Sequence, residues 1–239
     1  MTDSPVHVLI TGSTRGIGLA IRDTLEARGA RTVGHGRFDG EGILGEDLAD
    51  PGGADRLWSR ALERLDGRID VLINNAGVFE PIAVDDDSDA WRAAWARTLQ
   101  INLTASADLC RQAVLHWRKV GRTGRILNIA SRAAWRGDSP HHWHYAASKA
   151  GMVAMTRSIA RGHADQGVLA FAICPGFVRT DMAEEYLVGV DGARVVAEIP
   201  LGRVAETEEV AAAAAWLALD APASMTGAAL DINGASYVR

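Results

Sequence analysis

Tyr145 and Lys149 are the residues whose types and spacing first suggest chemistry. In His144-Tyr145-Ala146-Ala147-Ser148-Lys149-Ala150-Gly151 they lie four apart at the start of an amphipathic stretch, so a helix there puts both on one face. A free phenol has a pKa of about 10 and is a weak base at neutral pH. A neighbouring ammonium favours the phenolate, while burial opposes it. The pair suits a group that exchanges a proton with an alcohol or carbonyl oxygen. The chain is rich in arginine, and Lys119 and Lys149 are its only lysines. A second constellation opens the chain: Thr11-Gly12-Ser13-Thr14-Arg15-Gly16-Ile17-Gly18, directly after an apolar run. Glycines here permit a tight turn and let the backbone approach a pyrophosphate, which the N-terminus of the following helix attracts. The spacing Gly-x-x-x-Gly-x-Gly differs from the general dinucleotide fingerprint, and no Gly-Lys-Ser/Thr follows to make a P-loop.

The elements that must hold these residues alternate along the chain. Strands are predicted at His7 to Ile10, Arg31 to Val33, Ile69 to Ile73, Arg125 to Ile129, Leu169 to Cys174 and Ala229 to Ile232. Helices are predicted after the glycine turn (Leu19, Ile21, Leu25) and over Ala54 to Leu65. Further ones span about Ala90 to Arg118, about His144 to Ala164, and Thr207 to Leu219. Such alternation predicts an α/β fold of the Rossmann type: a doubly wound parallel sheet with helices on both faces. No linker or repeat divides the 239 residues, so a single domain over 1–239 is expected. Asp85-Asp86-Asp87-Ser88-Asp89 reads as a helix-start cap rather than a metal site.

Composition narrows the partners. A net charge of −5 without a long basic block argues against nucleic acid. No apolar run approaches the roughly 20 residues a bilayer requires, and Met1-Thr2-Asp3-Ser4-Pro5 does not read as a secretory signal. A cytoplasmic protein with no membrane association is expected, with Cys110 and Cys174 as buried thiols.

Taken together, the glycine turn, Asn74-Asn75-Ala76-Gly77, Ile101-Asn102, Ser131, Tyr145 to Lys149, Pro175-Gly176 and Ile199-Pro200-Leu201-Gly202-Arg203 resemble the short-chain dehydrogenase/reductase family in its short, single-domain branch. The likeness covers nearly the whole length, and the last segment is similar to the 3-oxoacyl-carrier-protein reductases. It implies a hydride transfer between a nicotinamide and a carbonyl or secondary alcohol. Tyr145 would be the general acid or base. Lys149 would bind the nicotinamide ribose and lower the tyrosine's pKa, Ser131 would hold the substrate oxygen, and Asn102 would anchor a proton relay. The cofactor set it implies is Gly12, Ser13, Thr14, Arg15, Gly16, Ile17 and Gly18. To these it adds Asn74, Ala76 and Gly77 beside the adenosine ribose, where they also stabilise the sheet. Pro175, Gly176, Val178 and Thr180 would pack on the nicotinamide, and Asp47 and Leu48 would hold the adenine edge. Ser131 lies fourteen residues before Tyr145, one more than is commonest, which keeps Ser139 as an alternative. Asp231-Ile232-Asn233-Gly234-Ala235 departs from the family's Asp-Gly-Gly. Residues of about 181–199 fall where relatives carry a substrate lid, and relatives are commonly homotetramers. The long helix around Trp91 to Trp117 and the stretch Ala211 to Leu219 are compatible with such an assembly.

The cofactor is expected to be NADP(H). Gly34-His35-Gly36-Arg37 places glycine where NAD-linked relatives carry aspartate, with Arg37 next to it and Arg15 in the turn. Both guanidinium groups suit a 2′-phosphate. Asp39 and Glu41 keep NAD(H) open. His141, His142 and His144 fit no familiar metal spacing. They read as lining for a small-molecule pocket in which Arg132 or Arg136 serves an anionic group. The reading from a different class is a non-catalytic sensor of NADP(H).

Overall fold

The computed structural model describes residues 4–180 and 190–239. Seven strands form one parallel sheet: β1 (His7–Ile10), β2 (Arg31–Gly36), β3 (Ile43–Gly45), β4 (Val71–Asn74), β5 (Gly124–Ile129), β6 (Val168–Pro175) and β7 (Ala229–Ile232). Their order is β3-β2-β1-β4-β5-β6-β7, so the direction of winding reverses at β1 and β4. The central strands are apolar without alternation because a parallel sheet is covered on both faces. Leu9, Leu72 and Ile126 face one core, and Val8, Ile10, Ile73, Leu127 and Phe171 face the other. Each such side chain, fully buried, contributes about 1.5–3 kcal/mol.

One face carries α2 (Gly53–Arg64), α4 (Ala105–Val120) and α6 (Trp143–His163). The other carries α1 (Gly16–Ala27) and α8 (Thr207–Leu219), which pack on each other. Ala211, Ala214, Ala215, Leu217 and Ala218 are therefore interior residues, leaving Ala212 and Trp216 exposed. Trp117 is interior too, its indole N–H bonded to the Ile69 carbonyl at 2.6 Å. α3 (Ser88–Leu99) begins at Asp87, whose carboxylate accepts from Asp89 and Ala90 N–H, so the acidic run is indeed a helix cap. Two short helices complete the described residues, α5 (Ala133–Arg136) and α7 (Val190–Ala197).

Three features depart from the pattern read off the sequence. The long helix expected over Ala90 to Arg118 is two α-helices joined by a π-helical turn, Gln100–Thr104, which carries Asn102. The apolar spacing on either side is helical, so the extra backbone residue leaves no periodic mark. The edge strand β3 and helix α5 are too short to show a period. Of the lid region, residues 181–189 lie outside the described residues, and α7 occupies most of the remainder.

Candidate active site

The glycine turn follows β1 at the reversal point, where ligands of such sheets bind. Gly12 has φ +64°, and a Cβ there would stand 2.8 Å from the Ala76 Cα, so the turn lies directly on the Asn74–Gly77 segment. At Gly18 a Cβ would stand 2.2 Å from the Gly12 carbonyl oxygen, which is what lets α1 start so close to the strand. α1 opens without a side-chain cap and with no acid in its first turn, whereas α3 and α8 are capped by their own side chains. Its first N–H groups and their partial positive charge are left for an anion. Thr180 sits beside this turn, its methyl 3.3 Å from where a Gly16 Cβ would be.

A lock behind the turn was not foreseen from the sequence. Thr11 Oγ1 accepts from the Asn75 and Ala76 N–H groups at 2.9 and 3.0 Å, and the Asn75 amide donates to the Thr11 and Gly12 carbonyls. Ser13 Oγ accepts from His35 N–H at 3.0 Å. Gly12 N–H donates to His35 Nδ1 at 3.1 Å, so Nε2 carries the proton and faces the Glu46 carbonyl at 3.0 Å. Burial lowers the His35 pKa, in keeping with a neutral ring. No local sequence pattern marks this lock, whose partners lie up to 65 positions apart.

At the end of β2, Arg37 and Arg15 are exposed. A Cβ on Gly36 would stand 2.5 Å from the Thr14 methyl, so a side chain here would require Thr14 to move. Asp39 is committed elsewhere: it accepts from Gly45 N–H at 2.8 Å and pairs with Arg60 at 2.6 Å. Glu41 is exposed. Asp47 accepts from Ala49 N–H at 2.9 Å beside buried Leu48. The Asn74 side chain is wholly buried and bonds Asn128 across the β4–β5 pair at 2.9 Å, which ties the two strands together.

The proton-transfer candidates converge at the carboxyl ends of β5 and β6. The Ser131 side chain neighbours the Tyr145 phenol and favours its ionised form. Lys149 is buried, with Nζ 5.7 Å from the Tyr145 ring centroid and donating to the Ile129 carbonyl at 2.9 Å. Ser139 instead bonds His142 Nδ1 at 2.7 Å, on an exposed loop. Asn102 is clamped by the π-turn: its Oδ1 accepts from Val78 N–H at 2.8 Å, and its amide donates to the Val78 carbonyl and Ser148 Oγ. Gly77 lies between Asn102 and Lys149, with a Cβ there 3.3 Å from Asn102 Oδ1 and 3.5 Å from Lys149 Nζ. One electrostatic expectation is corrected. Burial pushes the Tyr145 phenol up to about 12, offset only in part by Ser131. Burial also brings Lys149 down to about 8.

The remaining residues of the loop divide sharply. His142 is buried and stacks on Phe79 at 3.8 Å between centroids, and Phe79 meets Tyr145 edge-on at 4.7 Å. His144 points away, to Trp95, and His141 is exposed. Among the described residues, no cluster of three or more His, Cys, Asp or Glu side chains could hold a metal ion. Cys110 and Cys174 are buried free thiols, raised by desolvation to about 12 and about 11. Pro175 ends β6, and Val178 bridges to Ala205. Asn233, which breaks the Asp-Gly-Gly pattern, packs its Cβ where a side chain on Gly176 would lie. No described helix is long and apolar enough to cross a membrane.

Comparison with known proteins agrees with this fold. Residues 12–235 match the family model described as enoyl-(acyl carrier protein) reductase. The 3-oxoacyl-(acyl-carrier-protein) reductase FabG of Salmonella typhimurium is 32% identical over 246 residues, covering 96% of each chain. The 3beta-hydroxysteroid dehydrogenase 1 of Eggerthella lenta is 34% identical over 248 residues, covering 95% of this chain and 92% of its own. The crystal structure of an Agrobacterium tumefaciens protein described as a 2-deoxy-D-gluconate 3-dehydrogenase, with bound NADP, superposes with a TM-score of 0.87. It is 26% identical and covers 100% of this chain and 98% of that one.

Proposed function

The chain belongs to the short-chain dehydrogenase/reductase family and is an NAD(P)-dependent oxidoreductase; from that premise we propose that it reduces a carbonyl group with NADPH, using Tyr145 as the acid. The observation that carries the reading is the Tyr145 phenol with the Ser131 side chain and buried Lys149 beside it. Ser131 fixes a substrate oxygen against the phenol, in preference to Ser139, which is held by His142. Tyr145 keeps its proton throughout the neutral range and is thus ready to donate it as negative charge develops on that oxygen. Lys149 is positioned to hold the nicotinamide ribose and to stabilise the phenolate left behind. Asn102 is held rigidly against Ser148 and Val78, next to Lys149, and serves the proton's return path.

The uncapped start of α1, together with Gly12 to Gly18, fits a pyrophosphate. Asn74, Ala76 and Gly77 back the adenosine side, with Asp47 and Leu48 at the adenine edge. Pro175, Gly176, Val178 and Thr180 take the nicotinamide side. NADP(H) is preferred because Gly36 leaves no acid for a free 2′-hydroxyl, Asp39 is engaged by Arg60, and Arg15 and Arg37 stand at the surface. The neighbour with bound NADP supports the same preference. The cofactor supplies the hydride, and the protein supplies orientation and the proton. Residues 1–239 act as one domain, with about 181–199 as its lid, and the assembly is a homotetramer. The relatives' names span an acyl-carrier substrate, a steroid and a sugar acid, so they do not choose the substrate.

The test is Tyr145→Phe, assayed with NADPH on a panel of oxo esters and oxo acids. Turnover is expected to fall by roughly 100- to 10,000-fold while NADPH affinity stays within a few-fold. A variant that turns over normally removes Tyr145 from the mechanism.

A further inference from the structure

Arg132 follows Ser131, and its N–H donates to the Pro175 carbonyl at 2.8 Å, which pins it where β5 and β6 end. It is only 8% exposed. Its guanidinium lies on the Phe177 ring, 4.8 Å from the centroid, and Nη1 is buried with no hydrogen-bond partner among the described residues. Burial lowers its pKa, and the neighbouring Arg136 acts in the same direction. Two carboxylates act on it from a distance, but each is engaged elsewhere. Glu198 pairs with Arg136 at 3.6 Å, and Asp138 accepts from Ser139 N–H at 2.7 Å. A guanidinium stays charged at any working pH, so a buried one without an anion is a costly arrangement.

The two segments that frame this group are functional ones by position. One carries Ser131, and the other runs from Pro175 through Phe177 to Thr180, beside the glycine turn. An anion on Nη1 would therefore lie along the same edge of the sheet as the Ser131–Tyr145 pair. We propose that Arg132 receives the carboxylate of the substrate, so that the reacting molecule is a small oxo acid or hydroxy acid rather than a neutral ketone. This names the substrate class for the oxidoreductase site and rests on that reading. A planar guanidinium with an aromatic face behind it matches a carboxylate. A phosphate dianion calls for cations on more than one side, and Arg136, the other cation acting on Arg132, is already paired.

The experiment measures binding rather than turnover, so that it does not depend on the chemistry. Protein loaded with NADP⁺, and the same protein without cofactor, is titrated by calorimetry with 2-oxobutanoate, acetoacetate and 4-oxopentanoate and with the methyl ester of each. At least one acid is expected to bind tenfold or more tightly than its ester. Arg132→Met should erase that preference, and Arg132→Lys should keep part of it. Because Arg132→Met removes an unpaired buried charge, its unliganded Tm is expected to be no lower than that of the parent. Absence of any acid-over-ester preference in the parent overturns the proposal. So does a preference that survives Arg132→Met, above all if the Tm then falls and marks the arginine as structural. Failure of NADP⁺ to bind would count against the cofactor reading alone, since the titration without cofactor still reports on Arg132.

Discussion

Around the ends of β1 and β2, polar side chains close on one another. Thr11 holds Asn75 and Ala76, Ser13 holds His35, and His35 holds Gly12 and Glu46. Beyond the ends of β5 and β6 the opposite holds, and Arg132 Nη1 and His142 Nε2 are buried with no hydrogen-bond partner among the described residues. The first region is built to receive a ligand on backbone N–H groups, with its side chains already spent on holding the backbone in place. The second keeps side-chain donors in reserve. Buried polar groups left open are unfavourable in isolation, so a region that retains them is suited to binding a polar group. The difference suggests a division of labour: a rigid cradle for a constant cofactor, and an enclosed set of unmet polar groups for a particular substrate.

The comparison breaks most visibly at Gly12. Gly12→Ala forces a side chain into a left-handed backbone and against Ala76. The strain of about 1–3 kcal/mol should weaken NADPH binding by roughly 5- to 150-fold in an equilibrium titration. Affinity within twofold of the parent would show that the lock is softer than its hydrogen bonds suggest.

A smaller effect sharpens the comparison at the proton-transfer end. Lys149 is held down to about 8 by burial, so its ammonium is complete below that pH and is lost as pH rises through it. Tyr145, at about 12, remains protonated across the same window. Carbonyl reduction under saturating NADPH should therefore be level up to about pH 8 and then fall toward tenfold per unit. A profile that stays flat to pH 10 would mean that the lysine's charge is not required.

Much of the architecture is legible in the sequence because parallel strands buried on both faces must be continuous apolar runs, as Val8-Leu9-Ile10 and Val71-Leu72-Ile73 are. What escapes is either short or tertiary. Ile43–Gly45 pairs at the sheet's edge with too few residues to show a period. The π-turn at Asn102 hides inside helical spacing. At the site, the four-residue step from Tyr145 to Lys149 is a local signal and could be read. The Thr11, Ser13, His35 and Asn75 lock joins residues up to 65 positions apart, and no local pattern announces it. The choice between Arg132 and Arg136 likewise depends on burial: one is enclosed and unpartnered, and the other is exposed beside Glu198. The balance of burial against charge at Tyr145 was recognised as a competition, and its outcome needed the structure.

The most direct test of the account is to titrate the purified protein with NADPH and with NADH, following quenching of its tryptophan fluorescence. Binding of NADPH at least tenfold tighter than NADH is predicted from Gly36, the engaged Asp39 and the exposed Arg15 and Arg37. Equal or tighter binding of NADH would contradict the assignment of the cradle, and no binding of either would contradict the oxidoreductase mechanism itself.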